Sequence, residues 1–404
     1  MGFEATAEVA RSVAQQTGPV RVRRDGPVRF LHTSDWQLGM TRHFLTAEAQ
    51  CRFTTARMDA IRGIGAVARR ERCDFVVVAG DVFDSNLLGR QTVLRSLEAM
   101  RSIDCPVYLL PGNHDALNAA SIYRSPTFLD HKPSHVHAIV GPPPIEVLPG
   151  VELVPAPLTS NRPLQDLVAE AVRDLAADGM LRIVVGHGQA EGVAMTDGNI
   201  AALRLAPMEA AIDRGAVHYI ALGDRHSRGP VGDSGRIFYS GSPEVTDHRD
   251  AQAGDVLVVE LQPGGAIEVT PHHVGTWRFV DLIRAVNTPD DLDTLEAELD
   301  GIGAKECTVV RTSLTGTLHL ADKARLDALV ERYGELLAGL YQWERHTDLA
   351  VIVDDAELQR LGAGGFIESA VGELIAVGAG EGPQSQAARD ALSLLYRLAG
   401  GACR

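Results

Sequence analysis

Hydrophobic and polar positions sort the chain into one long stretch of alternating strands and helices and a shorter one that repeats the alternation. Val28 to Leu31 reads as a short apolar strand that gives way to Thr33, Ser34 and Asp35. A helical pattern over 47–72 leads into FVVVAG at 75–80, and one over 89–103 leads into VYLL at 107–110. RIVVG (182–186) and YIALG (219–223) each follow a helical segment, whereas RIFYS (236–240), DVLVVEL (255–261) and AIEVT (266–270) follow one another directly. The first part has the rhythm of parallel βα units and the last that of an antiparallel meander. The mixture predicts an α/β fold with two sheets packed face to face and helices outside.

Past His272 to Thr276 the pattern restarts: strand WRFVDLI, helix PDDLDTLEAELDGI, strand CTVVRTSL, helix ADKARLDALVERYGELLAGLY and strand LAVIV. After Gly362 come two short amphipathic patterns, FIESAVGELIAVG and SQAARDALSLLYRLAG, split by EGPQ. The expected organisation is a flexible extension over 1–27, a main domain over 28–275, a small α/β domain over 276–361 and a helical segment over 362–404. Helices that short are marginal alone, so the last segment must pack on this chain or dock a partner.

Composition narrows the picture in four ways. With 404 residues, 45% of them hydrophobic, the chain can bury more than one core. No stretch approaches the roughly 20 apolar residues of a membrane span, and the first 27 carry charges without an apolar segment, so a cytoplasmic protein is expected. Five scattered cysteines with no CxxC pair indicate neither a disulfide framework nor a thiolate zinc site. The net charge of -15 argues against coating nucleic acid by bulk electrostatics. Residues from Trp277 onward hold 12 Lys and Arg against 21 Asp and Glu, a net of -9, which leaves -6 for residues 1–276. Most of the acidity therefore sits away from the motifs that carry chemistry.

Those motifs stand at strand exits: SDWQ after the first strand, then GDVFD (80–84), GNHD (112–115), GHG (186–188) and GDRH (223–226). Carboxyl ends of strands are where ligands bind in open α/β sheets, and in four of the five motifs a glycine before the polar residue lets the chain turn sharply toward a common centre. Carboxylates suit hard divalent ions and imidazoles suit transition metals, so the residue types are those of a two-metal site. Hydrolysis of a phosphoester is the chemistry such a pair performs. The alternating His131, His135 and His137 admit a metal patch, but exposed imidazoles on a turn and strand account for them better.

Taken together, these motifs are similar to those of the calcineurin-like metallophosphoesterase superfamily. Within it, LHTSDWQLG, GDVFDSN, LPGNHD and YSGSPE resemble the SbcD-type exonucleases, the nuclease halves of the SbcC/SbcD DNA-repair complex. The resemblance implies a two-sheet α/β sandwich metallophosphoesterase core, a smaller C-terminal α/β cap domain and terminal helices. It implies that Asp35, Gln37, Asp81 and His226 bind one metal and that Asp81 bridges to a second held by Asn113, His187 and Asp224. His114 would donate a proton or stabilise the phosphate. Asp84 and Asp115 are read as residues that fix the loops, and Arg42 and His43 as substrate-binding candidates.

Gln37 and Asp224 stand where the family usually has histidine. The oxygen-rich set predicts Mn(II) first and Mg(II) second, with the Gln37 site the weaker. The implied function is a metal-dependent phosphodiesterase acting on DNA with an SMC-like, SbcC-type ATPase; a homodimer is allowed for, a membrane is not. Two other readings stay open: a phosphoesterase for small nucleotides or phosphoproteins, and a scaffold whose metal site has weakened.

Overall fold

The computed structural model describes residues 26–192, 202–352, 366–378, 380 and 382–401. Of the extension expected over 1–27, residues 1–25 lie outside the described residues. The chain forms two units: Met1–Met40, Thr54–Thr246 and Asp250–Thr276 make the first, and Thr41–Phe53, Asp247–Arg249 and Trp277–Arg404 the second.

Among the described residues, the first unit holds twelve strands: β1 (Val28–Thr33), β2 (Phe75–Val78), β3 (Val107–Leu109), β4 (Val136–Ala138), β5 (Ile145–Leu148), β6 (Val151–Pro155), β7 (Leu181–His187), β8 (Tyr219–Gly223), β9 (Gly229–Val231), β10 (Ile237–Tyr239), β11 (Asp255–Leu261) and β12 (Ile267–His273). They form two six-stranded sheets, ordered β12-β11-β1-β2-β3-β4 and β5-β6-β7-β8-β10-β9. β4, β5, β6 and β9 have no counterpart in the sequence reading, each being only three to five residues long.

Period-two alternation decides which face each side chain joins. Phe30, Phe75 and Val77 meet Ile183, Val185, Tyr219 and Ala221 between the sheets. Their neighbours Leu31, Val76 and Val78 face outward into a core with Ile61, Ile64 and Leu97, which lie on helices α1 (Ala47–Arg70) and α2 (Arg90–Met100). On the other sheet, Val184, Ile220 and Leu222 pack with Val168 and Met208 of α3 (Leu167–Arg173) and α4 (Leu205–Asp213). Both faces of the central strands are covered, which is why they read as continuous apolar runs. At roughly 1.5–3 kcal/mol for each large side chain buried, these cores hold the strand ends in place.

The second unit holds β13 (Arg278–Ala285), α5 (Pro289–Gly301), β14 (Thr308–His319), α6 (Leu320–Leu336), β15 (Gly339–Gln342), β16 (Asp348–Ile352), α7 (Phe366–Gly378) and α8 (Pro383–Gly401). β14 is central and parallel to β13, β15 and β16. Thr288 and Asp291 form a capping box at the start of α5, with Pro289 at its first turn. One expectation is corrected. The helix expected over 321–341 ends at Leu336, because Leu337 turns extended and Gly339–Gln342 pairs with Val309–Thr312 of β14. Sheet hydrogen bonds win over the helical pattern of that segment.

Thr41–Phe53 and Asp247–Arg249 belong here through aromatic packing: Phe44 lies against Phe279 and Tyr341, and the His248 ring stands edge-on to both. α7 and α8 bury Val371 and Leu392 against Leu320 of α6. No helix among the described residues is long and apolar enough to cross a membrane.

Candidate metal centre

Six non-glycine residues among those described have positive φ, and four of them stand at these strand exits: Asp35 (53°), Gln37 (48°), Asp81 (53°) and Asp224 (96°). A left-handed backbone costs such residues of order 1–3 kcal/mol each, so surrounding bonds must hold them. Those bonds are present. The Asp35, Gln37 and Leu38 amides donate to the carbonyls of Gly80, Asp81 and Val82, each at 3.0 Å, so the exits of β1 and β2 run on as a short ladder while their side chains turn inward. Beneath the loop, the buried Arg57 guanidinium donates to the carbonyls of Trp36 and Val245, both at 3.1 Å.

Two glycines are required by close approach. A Cβ on Gly80, itself at φ 93°, would fall 2.1 Å from Nδ1 of His187, and one on Gly112 would fall 2.1 Å from Oδ1 of Asp81.

One ligand atom from each of Asp35, Asp81 and His187 lies within 4.8 Å of the others, and all three residues are buried. Asp81 sits at the middle. Its Oδ1 accepts from the His114 amide at 2.9 Å, and its Oδ2 accepts from Nε2 of Gln37 at 3.0 Å and lies 3.4 Å from Nε2 of His187. Asp35 accepts from the Ser34 hydroxyl at 2.5 Å and from the Asp224 amide at 3.1 Å, with Nε2 of His226 at 3.9 Å from its Oδ1. Ser34 in turn contacts the Ser240 hydroxyl at 2.9 Å.

His187 shows what the cluster is built to hold. Its Nδ1 donates to the Ala79 carbonyl at 2.8 Å, which fixes the proton on that nitrogen. Nε2 then faces only oxygens: Asn113 Oδ1 at 2.8 Å, Asp81 Oδ2 at 3.4 Å and Asp224 Oδ1 at 3.7 Å. Oε1 of Gln37 is buried without a hydrogen-bond partner. Lone pairs that converge with no hydrogen between them suit a cation, and carboxylate, amide and imidazole donors suit a hard to borderline divalent ion. The residues present therefore fit a metal centre.

Charge tells the same story. Burial pushes the Asp35 carboxyl up to about 6 against the pull of His187 and His226. Burial also raises Asp81, but the charges of His187 and His114 outweigh it and hold that carboxyl at about 2. His187 is raised well above the ordinary imidazole value, Asp81 overcoming the opposing effect of burial. The carboxylates demand positive charge at their centre, and a divalent ion would supply it in place of imidazolium.

His114 differs from the others. Its Nδ1 donates to the Asp84 carbonyl at 2.9 Å, and its side chain is 43% exposed, with Nε2 3.9 Å from Asp81. Burial lowers its pKa, but Asp81 and the Asp84 carbonyl together raise it above the usual value. Nearby, buried Asp115 accepts from the amides of Gly112 and Phe83 at 2.7 and 3.1 Å and from the Tyr123 hydroxyl at 2.6 Å, tying the exits of β2 and β3 together.

Asp35, Gln37, Asp81, Asn113, His114, His187, Asp224 and His226 thus meet in one cluster. Arg42 and His43 are not among these side chains; they fall in the second unit, where the Arg42 amide donates to Gln50 and the His43 ring stands edge-on to Phe44. The patch of His131, His135 and His137 dissolves into ordinary contacts: the Thr127 carbonyl, the Met100 carbonyl and the Tyr108 ring. Ser34, Arg57, Tyr123, Ser240, Thr246 and Asp250 were not singled out by sequence. Only Ser34 and Ser240 had a signal, as members of the quoted motifs.

Residues 28–228 match the model of the calcineurin-like phosphoesterases. That stretch is a calcineurin-like phosphoesterase domain. It carries every side chain of the cluster, from Asp35 to His226. The chain is similar to the SbcD subunit of the SbcCD nuclease of Escherichia coli K12, 27% identical over 253 residues that cover 54% of this chain and 60% of that protein. It is likewise 27% identical to the Bacillus subtilis counterpart over 272 residues, 59% of this chain and 67% of that one. The match thus spans about three fifths of the length of the Escherichia coli relative. Among solved structures, a dimetal phosphatase from Danio rerio aligns over 61% of this chain and 99% of its own at 14% identity, with a TM-score of 0.37.

Proposed function

We propose that this phosphoesterase is a divalent-metal-dependent DNA exonuclease and endonuclease of the SbcD type, using Mn(II) first and Mg(II) second, in the cytoplasm beside an SMC-like ATPase. The observation that carries the reading is the convergence of Asp35, Gln37, Asp81, Asn113, His187, Asp224 and His226 from five strand exits, with the proton-bearing His114 beside them. DNA as substrate and an ATPase as partner rest on the similarity to the two SbcCD nuclease proteins.

In this reading Asp35, Gln37, Asp81 and His226 would hold one ion, and Asp81, Asn113, His187 and Asp224 would hold a second. The ions would polarise the phosphate oxygens and lower the pKa of an attacking water. The protein's own part is to hold the ligand atoms rigidly, and to present His114. Its Nδ1 is committed to the Asp84 carbonyl, so Nε2 is the atom that gives a proton to the leaving oxygen. Gln37 would have two tasks: its amide nitrogen orients Asp81, and its buried oxygen, without a hydrogen-bond partner, would serve as the ligand atom.

The test compares Mn(II)-dependent degradation of linear and hairpin DNA with turnover of bis-p-nitrophenyl phosphate and cyclic nucleotides. DNA cleavage that is lost on chelation is expected. Turnover of cyclic nucleotides with DNA untouched would move the function to small nucleotides, and no turnover under any condition would favour a scaffold. Co-purification with an SMC-like ATPase before and after truncation at Gly362 tests the partner.

A further inference from the structure

His226 reaches the centre from beyond the end of β8, and the groups that hold it come from a loop twenty residues further on, outside the matched domain. Its Nδ1 lies 2.7 Å from Oγ1 of Thr246 and 3.5 Å from Oδ2 of Asp250. Asp250 Oδ2 accepts from the Thr246 hydroxyl at 2.6 Å and from the Thr246 amide at 2.8 Å. We infer that Thr246 and Asp250 are positioning residues that fix His226 as its Nδ1–H tautomer, leaving Nε2 as the atom turned toward the metal centre.

The argument is a count of protons. A hydroxyl has one hydrogen, and at 2.6 Å from a carboxylate that hydrogen is spent on Asp250. Toward His226 the Thr246 oxygen can therefore only accept, so Nδ1 must donate. The opposite tautomer would set two lone pairs against each other at 2.7 Å. With Nδ1 committed, Nε2 carries a lone pair on the side of Asp35, whose Oδ1 is 3.9 Å away. Thr246 is buried at 1% exposure, and the Asp250 side chain is 8% exposed, so water does not readily replace either bond. His187 is fixed in the same tautomer by a main-chain carbonyl, whereas His226 depends on two side chains. That difference makes its arrangement open to substitution. Metal-binding histidines held through the second nitrogen typically lose about 10- to 100-fold in metal affinity when that partner is removed.

The metal part of this inference rests on the proposed function; the tautomer does not. The full chain, labelled with nitrogen-15 at histidine, is compared by long-range proton–nitrogen NMR with Thr246→Val, Thr246→Ser and Asp250→Asn, the His226 signal being assigned by its loss in His226→Gln. Wild type and Thr246→Ser should show the Nδ1–H form, and Thr246→Val a mixture or the Nε2–H form. Calorimetry with Mn(II) should show about 10- to 100-fold weaker binding at one site in Thr246→Val and Asp250→Asn, restored in Thr246→Ser. Thr246→Val that keeps both tautomer and affinity overturns the inference, as does Thr246→Ser that loses as much as Thr246→Val. Should Thr246→Val not fold, Asp250→Asn against Thr246→Ser decides on the same two readouts. Absence of Mn(II) binding by wild type would overturn the proposed function, while the NMR result would still decide the tautomer.

Discussion

Both units are built on parallel strands, yet only one of them makes a site of the strand ends. In the first, the exits of β1, β2, β3, β7 and β8 turn through Asp35, Asp81, Asn113, His187 and Asp224. In the second, β13, β14, β15 and β16 run parallel just as faithfully but stop at Ala285, His319, Gln342 and Ile352. The backbone differs accordingly: four left-handed carboxylate or amide residues gather at the exits in the first unit, whereas the second has, among the described residues, a single non-glycine residue of that kind, Ala304, in a turn. The charges differ too. Among the described residues, the buried carboxylate and arginine residues, Asp35, Arg57, Asp81, Asp115, Arg182 and Glu244, all lie in the first unit, together with the buried His32 and His187. In the second unit, ion pairs such as Arg284 with Glu298 and Arg325 with Asp293 lie at the surface. A parallel sheet offers only a place for a site. Strained exits and buried charge are what make one.

The hardest blow to this contrast is Asp81→Ala, which removes the carboxylate at the middle of the cluster, proposed as the shared ligand. Turnover on any phosphodiester should fall at least about a thousandfold, the several kcal/mol that a metal pair contributes, and Mn(II) calorimetry should lose its binding isotherm. Retained turnover would place the chemistry elsewhere. Gly112→Ala comes next, because its Cβ meets Asp81 at both Oδ1 and the backbone nitrogen. A stability loss of about 1–3 kcal/mol in urea titration, together with impaired turnover, is expected.

His32 tests the buried charge. Its Nδ1 accepts from the Tyr219 hydroxyl and its Nε2 donates to the Leu222 carbonyl, and burial lowers its pKa from 6.5 to about 3. Between those values the unfolded chain binds a proton that the native chain does not. Its contribution is therefore whole above pH 6.5 and is lost on acidification, at about 1.4 kcal/mol per pH unit. His32→Gln should flatten the acid limb of stability by about 2 kcal/mol between pH 7 and 5, read from urea midpoints; an unchanged limb would refute this.

Smaller effects complete the series. Gln37→His should raise activity a few-fold at limiting Mn(II), since imidazole is the stronger donor; equally tight binding of two ions by the unaltered chain would show that Gln37 is not a weak ligand. Arg284→Ala, in the half-exposed pair of the second unit, should cost less than about 1 kcal/mol and leave turnover alone. A large loss there would mean that the second unit does more for the reaction than its strand ends suggest.

The site was legible because its chemistry is local in sequence. A glycine, a polar residue and an apolar run before them appear within a few positions at each exit, and covered strands announce themselves by unbroken apolar composition. What escaped notice depends on distant partners. Thr246 and Asp250 look like any loop residues until His226, twenty or more positions earlier, is placed beside them. β15 hid inside a helical pattern because its strand bonds come from β14, some thirty residues earlier. Nothing in chain order shows that Thr41–Phe53 and Asp247–Arg249 share a unit with residues past 277.

Because the cluster draws on positions from Asp35 to His226, and on both sheets of the first unit, no local fragment can assemble it. Loop closure over such separations is slow and comes late in folding, so the metal centre is among the last features to form. A cation that binds only this finished arrangement stabilises the native state by mass action, gaining about 2.7 kcal/mol when its concentration is a hundred times its dissociation constant. The supply of divalent metal then sets how long the folded chain survives unfolding and proteolysis, as well as how fast it works.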